Sequence, residues 1–231
     1  MSVPSSVRSV AAQNVSAVEL VTAEIRRAVL TGALPPGEQF SIRELSRQLG
    51  VSHIPVREAL RLLEAQGLIV LSHTRSASVA PLSMEDISAI YRLRLRIEPD
   101  LAARSVPLQT PESLGEAEAA LERSRRAEPD VAWQAHYEFH ERLIAPAATG
   151  WDLRVLHTLW RAAERYTLLV FDPTMIDEAE RQRRYERHAE LLRAAAGKHG
   201  AALEAALTAH LTFNAAEIQA RIERLASHGA A

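Results

Sequence analysis

Cysteine is absent from the 231 residues, so no disulfide frame and no thiolate metal site can be built. No apolar run is long enough to cross a membrane. The first dozen residues, small and polar with Arg8, lack the continuous apolar core of a secretion signal. These absences are those of a cytoplasmic chain in a reducing compartment, with no membrane partner and a flexible arm over residues 1–14. Lysine occurs once, at Lys198. Arg carries the remaining positive charge, and together with abundant Ala this reflects a GC-rich coding genome rather than a function. No internal repeat stands out, and the HExxH pattern of zinc hydrolases is missing. A large positive excess is missing too: the net charge is −2, which taken alone argues against nucleic acid.

What is present is unevenly distributed. Residues 1–80 carry eight Arg against six Glu, net +2, whereas the remainder carries nineteen basic and twenty-three acidic residues, net −4. The length suits two modest domains or one large one. Punctuation at Pro81 and Ser83 divides them, giving one over 15–80 and a second over 81–231.

The densest signal lies between Ser41 and Val79. Ser41 and Glu44 have the spacing of a capping box that starts a short helix. Gly50 ends that helix, and Ser52 is placed to cap the next. In the second helix Pro55 falls in the first turn, and Val56, Ala59, Leu60 and Leu63 follow the i, i+3, i+4, i+7 spacing of a buried face. His53, Arg57 and Arg61, four apart, line another face that can meet phosphates and base edges. Gly67 closes the helix. Leu68 to Leu71 and Ala77 to Ala80 read as two short strands, with the turn over Ser72 to Ser76. The sum is a winged helix-turn-helix with a small β-hairpin, although a helix pair around a glycine turn also occurs in all-helical cores.

The region resembles the N-terminal domain of the GntR family of bacterial transcription regulators. Gly32, Leu34, Pro36 and Gly37 match its "G-x-L-x-P-G" turn, Leu49 to Ser52 and Pro55 to Leu60 its "LGVS-R-x-PVREAL", and Leu63, Gly67 and Leu68 its "L-x-x-x-GL". The resemblance implies DNA contacts by Arg43, Ser52, His53 and Arg57 and by the wing at His73 and Thr74; Arg75, beside them at the wing tip, is a further candidate for the minor groove. Two departures fall on that surface. His53 stands where the family has Arg and cannot form a bidentate fork to guanine. At the wing tip, where the family often has Gly, this chain has His73 to Ser76.

After Pro81 nearly every segment has helical spacing, with breaks at Pro107, Pro111, Pro129, Gly150, Pro173 and Gly197 to Gly200. The expected spans are 84–105, 112–127, 130–147, 151–171, 174–196 and 200–227. A break near Pro99 would divide the first span. The expectation is a mainly α protein, with an antiparallel C-terminal bundle of six or seven helices. His136 and His140, four apart on one helix face, can reach one metal ion, and His188 and His210 lie on two later helices. Taken alone, each reads more readily as a satisfied core or surface histidine than as a ligand.

This half resembles the C-terminal effector domain of the FadR subgroup of the same family, through Arg94, Ile97 and Glu98, then Phe139 with His140, then His188 and His210. The resemblance implies a divalent metal held by an Asp and three His, and a small carboxylate effector. Here His136 occupies the Asp position. A four-His shell favours Zn²⁺, with Ni²⁺ as the other candidate, over Mn²⁺. Arg94 is the family position that faces the effector, or else a surface partner of Glu98 at i+4. Asn214 lies one turn after His210, as an effector donor or an interhelical contact. His157, Trp160 and Tyr166 have the spacing of packing residues and are left outside the site.

The expected function is a DNA-binding regulator, a repressor that binds a pseudo-palindromic double-stranded operator as a homodimer and answers to a small organic acid. The alternatives are a metal-sensing regulator and a metal-dependent hydrolase. The chain is not expected to be an enzyme, since no general base with the required spacing follows the His pair.

Overall fold

The structure, a computed structural model, describes residues 16–72, 76–126, 129–171, 177–197 and 199–228. The expected arm over 1–14 and the wing-tip positions His73, Thr74 and Arg75 lie outside the described residues. The chain divides into two compact units, Met1–Ala80 and Pro81–Ala231.

In the first unit, helix α1 spans Ala17–Leu30 and opens on a capping box in which Ser16 and Glu19 each satisfy the other's backbone N–H. Strand β1 (Gln39–Ser41) leads into α2 (Ile42–Leu49), and α3 spans His53–Ala65. Strands β2 (Ile69–Leu71) and β3 (Ser76–Val79) form the hairpin, and β1 joins it, giving an antiparallel sheet of order β1-β3-β2 among the described residues. The pattern of residues 39–41 is too short to announce β1. Gly50, at φ 66°, turns the chain between α2 and α3 and donates its N–H to Arg47 and Ser46 carbonyls. Val56, Ala59, Leu60 and Leu63 are fully buried against Val21, Ile25, Ile42, Leu68 and Val79.

Two of the expected caps differ. Ser41 Oγ accepts from Glu44 N, but Glu44 gives its carboxylate to Arg47 and Gln48, a charge-assisted pairing that replaces the reciprocal half of the box. Ser52 is the N-cap residue of α3, yet its side chain makes no cap bond.

The second unit contains α4 (Met84–Ser105), a 3₁₀ turn (Val106–Leu108), α5 (Pro111–Arg126), α6 (Pro129–Ile144), α7 (Gly150–Phe171), α8 (Glu178–Ala196) and α9 (Gly200–His228). Helix α4 is not broken at Pro99. The proline is buried inside a continuous helix, and the missing hydrogen bond is offset by burial of Ile87, Tyr91, Leu101 and Ala102 on its flanks. Helix α6 stops at Ile144, three residues short of its expected end, and residues 145–147 form a turn. Helix α8 starts at Glu178, where Asp177 accepts from Glu180 N. Phe139, Leu143, Leu156, Leu203, Leu211 and Ile218 make the centre of the core. Among the described residues no helix is long and apolar enough to cross a membrane.

Gly200 marks the closest approach of two helices. A Cβ at this position would stand 2.4 Å from the Ala103 carbonyl oxygen of α4. Gly200→Ala is therefore expected to force α9 from α4 and to destabilise the unit by ~1–3 kcal/mol, the usual range of overpacking. A thermal melt at unchanged midpoint would show that the helices part without cost.

Candidate functional site

The N-terminal unit presents Arg43, Ser52, His53 and Arg57 on its surface. Arg43 and Arg57 make no hydrogen bond or ion pair among the described residues, so their guanidinium groups are available. Arg61, which shares the His53 and Arg57 face, pairs with Glu58 at 3.1 Å. His53 is tied back: its Nδ1 lies 3.1 Å from the hydroxyl of Ser46, a buried residue of α2 whose Oγ is also 2.8 Å from the Ile42 carbonyl.

In the second unit three helices bring four imidazoles together. His136 and His140 come from α6, His188 from α8 and His210 from α9. Ring centroids are 4.7 Å apart for His136 and His140, 4.9 Å for His136 and His188, and 5.3 Å for His140 and His188. His210 adjoins them at 4.7 Å from His188 and 5.1 Å from His140. One ring nitrogen from each of His136, His140 and His188 lies within 4.8 Å of the others, the spacing of a metal triad. Trp133 stacks on His136 at 5.3 Å and closes one side.

Burial is the first cause that holds all four imidazoles neutral. His136, His140 and His210 are pushed well below the ordinary histidine value, helped by the neighbouring imidazoles and by Arg94. His188 is lowered to about 4 by burial, against the raising effect of its bond to the Arg184 carbonyl, with Arg184 and Arg187 also opposing its charge. A neutral imidazole is the metal-binding form.

The hydrogen bonds say which nitrogen is free. His188 Nδ1 donates to the Arg184 carbonyl at 2.7 Å, which leaves the lone pair on Nε2. His140 Nε2, His188 Nε2 and His210 Nδ1 are buried without a hydrogen-bond partner among the described residues. A divalent cation would satisfy such nitrogens, so the residues fit the group. Asn214 Nδ2 faces His210 Nε2 at 3.1 Å, which puts the ring proton on Nδ1. Rotating the amide so that Oδ1 accepts moves the proton to Nε2 and frees Nδ1.

Beside the imidazoles lies a small cavity of about 10 Å³, the room of a single water molecule, lined by Arg94, Asn214, His136 and His140 together with Tyr91, Tyr137, Trp160 and Thr167, so a larger ligand requires this lining to move. Arg94 is buried, not on the surface, and pairs with Glu98 through Nε at 2.6 Å and Nη2 at 3.4 Å. Burial opposes the Arg94 charge, but the Glu98 carboxylate outweighs it and raises the pKa. Glu98 Oε1 also accepts from Trp160 Nε1 at 2.9 Å. Trp160 thus belongs to the site, although its spacing alone reads as packing. Tyr91, Tyr137 and Thr167 were also not legible as site residues. The available signal was positional: Tyr91 precedes Arg94 by one turn, and Thr167 follows Trp160 by two. His157 stands apart, paired with Glu141 at 2.8 Å, and Tyr166 accepts from Ser83 N at 3.2 Å.

A winged helix-turn-helix followed by a helical unit with a buried imidazole cluster defines a class, that of bacterial DNA-binding regulators. The chain belongs to the gntR family of bacterial regulatory proteins, matched over residues 17–79, and carries an FCD domain over residues 89–213. It is 30% identical over 198 residues to the HTH-type transcriptional regulator Mce2R of Mycobacterium tuberculosis, covering 77% of this chain and 82% of that protein. It is 28% identical over 193 residues to the HTH-type transcriptional repressor RspR of Escherichia coli, covering 81% and 82%. Its fold is similar to that of Escherichia coli McbR/YncC, with a TM-score of 0.72 at 23% identity over 90% of this chain and 100% of that one. The chain is a DNA-binding transcriptional regulator.

The buried pair makes a sharp prediction. Glu98→Ala strands the Arg94 charge and removes the Trp160 acceptor, and is expected to cost ~3–5 kcal/mol in urea unfolding. Arg104→Ala, which breaks an exposed pair with Asp100, is expected to cost under ~0.5 kcal/mol. Equal effects would mean that Arg94 finds another partner or reaches water.

Proposed function

We propose that the chain is a repressor that binds a pseudo-palindromic operator as a homodimer and is released by a small organic acid held beside a divalent metal in the FCD domain. The observation that carries this reading is the cluster of neutral imidazoles, in which His140, His188 and His210 have partnerless nitrogens and His136 and His140 border the small cavity. His136, His140 and His188 would hold the ion, with His210 as a fourth ligand once Asn214 turns its oxygen toward Nε2. The bound ion supplies a positive charge and open coordination positions for an anionic ligand.

That charge is needed. Glu98 already neutralises Arg94, so the polar wall of the cavity offers a carboxylate little net attraction from side chains alone. Arg94 Nη1, outside the pair with Glu98, and Asn214 would orient the ligand. An all-nitrogen shell favours Zn²⁺ or Ni²⁺ over Mn²⁺. On the DNA side, Arg43, Ser52, His53 and Arg57 form the contact surface, with His73, Thr74 and Arg75 of the wing completing it, and two-fold symmetry doubles the base pairs read. The repressor role is supported by the likeness to RspR. By linkage, an acid that weakens operator binding is itself bound more weakly by the operator complex, by the same factor.

Protein purified without a His tag is expected to carry about one metal ion per chain, and His140→Ala and His188→Ala to lose most of it. Equal metal content by mass spectrometry in all three would remove the metal centre. Operator affinity titrated with metal, with and without organic acids, separates an acid-responsive regulator from one that answers to the ion alone. Arg57→Ala is expected to lower operator affinity more than about tenfold, as a phosphate or base contact should, while leaving the melting temperature nearly unchanged. Intact binding in a gel shift would remove Arg57 from the contact surface.

A further inference from the structure

The bond between His53 and Ser46 fixes what His53 can say to a base. The Ser46 hydroxyl has one proton. Its Oγ lies 2.8 Å from the Ile42 carbonyl oxygen, which can only accept, so the proton points there; otherwise two oxygen lone pairs would face each other. Ser46 Oγ must then accept from His53 Nδ1 at 3.1 Å. In the neutral imidazole the proton is on Nδ1, and Nε2 is a bare acceptor. Arg at this position would present donors only, and would match the two acceptors, N7 and O6, of guanine. His53 Nε2 is repelled by both.

The next residue narrows the choice. Ile54, in the first turn of α3, is 74% exposed, the most exposed of the large apolar side chains among the described residues. Among the described residues of this unit nothing covers the isoleucine between His53 and Pro55. In the major groove, base pairs that offer an amino donor are adenine with thymine, through N6, and cytosine with guanine, through N4; the adenine pair alone adds the thymine methyl group. An acceptor beside an exposed branched apolar group is complementary to that combination.

We propose that His53 and Ile54 select an A·T pair in each operator half-site, adenine N6–H donating to His53 Nε2 and the thymine methyl lying against Ile54, with Ser46 as the positioning residue that sets the tautomer. This inference rests on the reading above that the start of α3 faces base edges.

The test uses the full chain at pH 8. Selection from a randomised double-stranded DNA library is followed by fluorescence anisotropy on the recovered duplex and its single-pair variants. Wild type should recover A·T at one pair per half-site and bind about fivefold or more weakly when that pair becomes G·C. Replacing the thymine by deoxyuridine should weaken wild type about threefold, the contribution of one buried methyl group, and should have no effect on Ile54→Ala. His53→Arg should recover guanine at that pair and no change elsewhere. Ser46→Ala, checked for an intact melt, should narrow the preference between A·T and G·C, because Nδ1 then loses the partner that fixes the proton.

Recovery of guanine by wild type, or an unchanged sequence with His53→Arg, would overturn the base assignment. If Arg57→Ala still loses binding in that case, the contact surface stands and the inference alone fails. No enrichment by wild type would overturn both.

Discussion

A buried ring nitrogen with no hydrogen-bond partner costs roughly 1–3 kcal/mol, and among the described residues of the C-terminal unit three such nitrogens lie within one cluster of imidazoles. Hydrophobic packing around Phe139, Leu143 and Leu211 can bear that cost, because a core of this extent contributes far more than the cluster removes. Packing alone gives no reason for the imidazoles to be there. Three helices are held so that their polar atoms meet at one point, and the surrounding core supplies the rigidity. Whatever completes these unmade bonds binds the unit and stabilises it.

The polar wall of the cavity is built on the same principle with the opposite outcome. Arg94, Glu98 and Trp160 are as deeply buried as the imidazoles, but they satisfy one another through 2.6 Å and 2.9 Å bonds. A finished network lies beside an unfinished one: the first holds the shape of the small cavity and the second leaves ring nitrogens without partners. Arg94 therefore lines the cavity and pairs with Glu98 at once, and the pair expected at the surface is buried.

Much of this was legible from spacing. The buried face of α3 follows from apolar residues at helical intervals, and the His136 and His140 pair from i, i+4 on α6. What escaped was decided by atoms that no local pattern reports. Strand β1 exists because β3 offers it an edge; its own three residues carry no strand signal. Glu44 has the position of a box residue, but Arg47 competes for it. Pro99 reads as a break, and burial on its flanks overrides the lost bond. Trp160 enters the site through Glu98, sixty-two residues away in sequence. The identity of His53 was visible at once, whereas its proton position required the contact with Ser46 on another helix.

All three tryptophans of the chain, Trp133, Trp151 and Trp160, lie in the C-terminal unit. Trp133 lies against His136 and Trp160 borders the cavity through its bond to Glu98, while Trp151 is 72% exposed beneath the Arg154 guanidinium. The molecule is thereby labelled by nature on one side only. Its ultraviolet emission comes from the unit that would sense the signal, with one emitter at the imidazole cluster, one at the cavity beside it and one in water as an internal standard. Occupancy of the centre can be followed optically in the presence of DNA, without any dye, while the half that meets DNA stays dark.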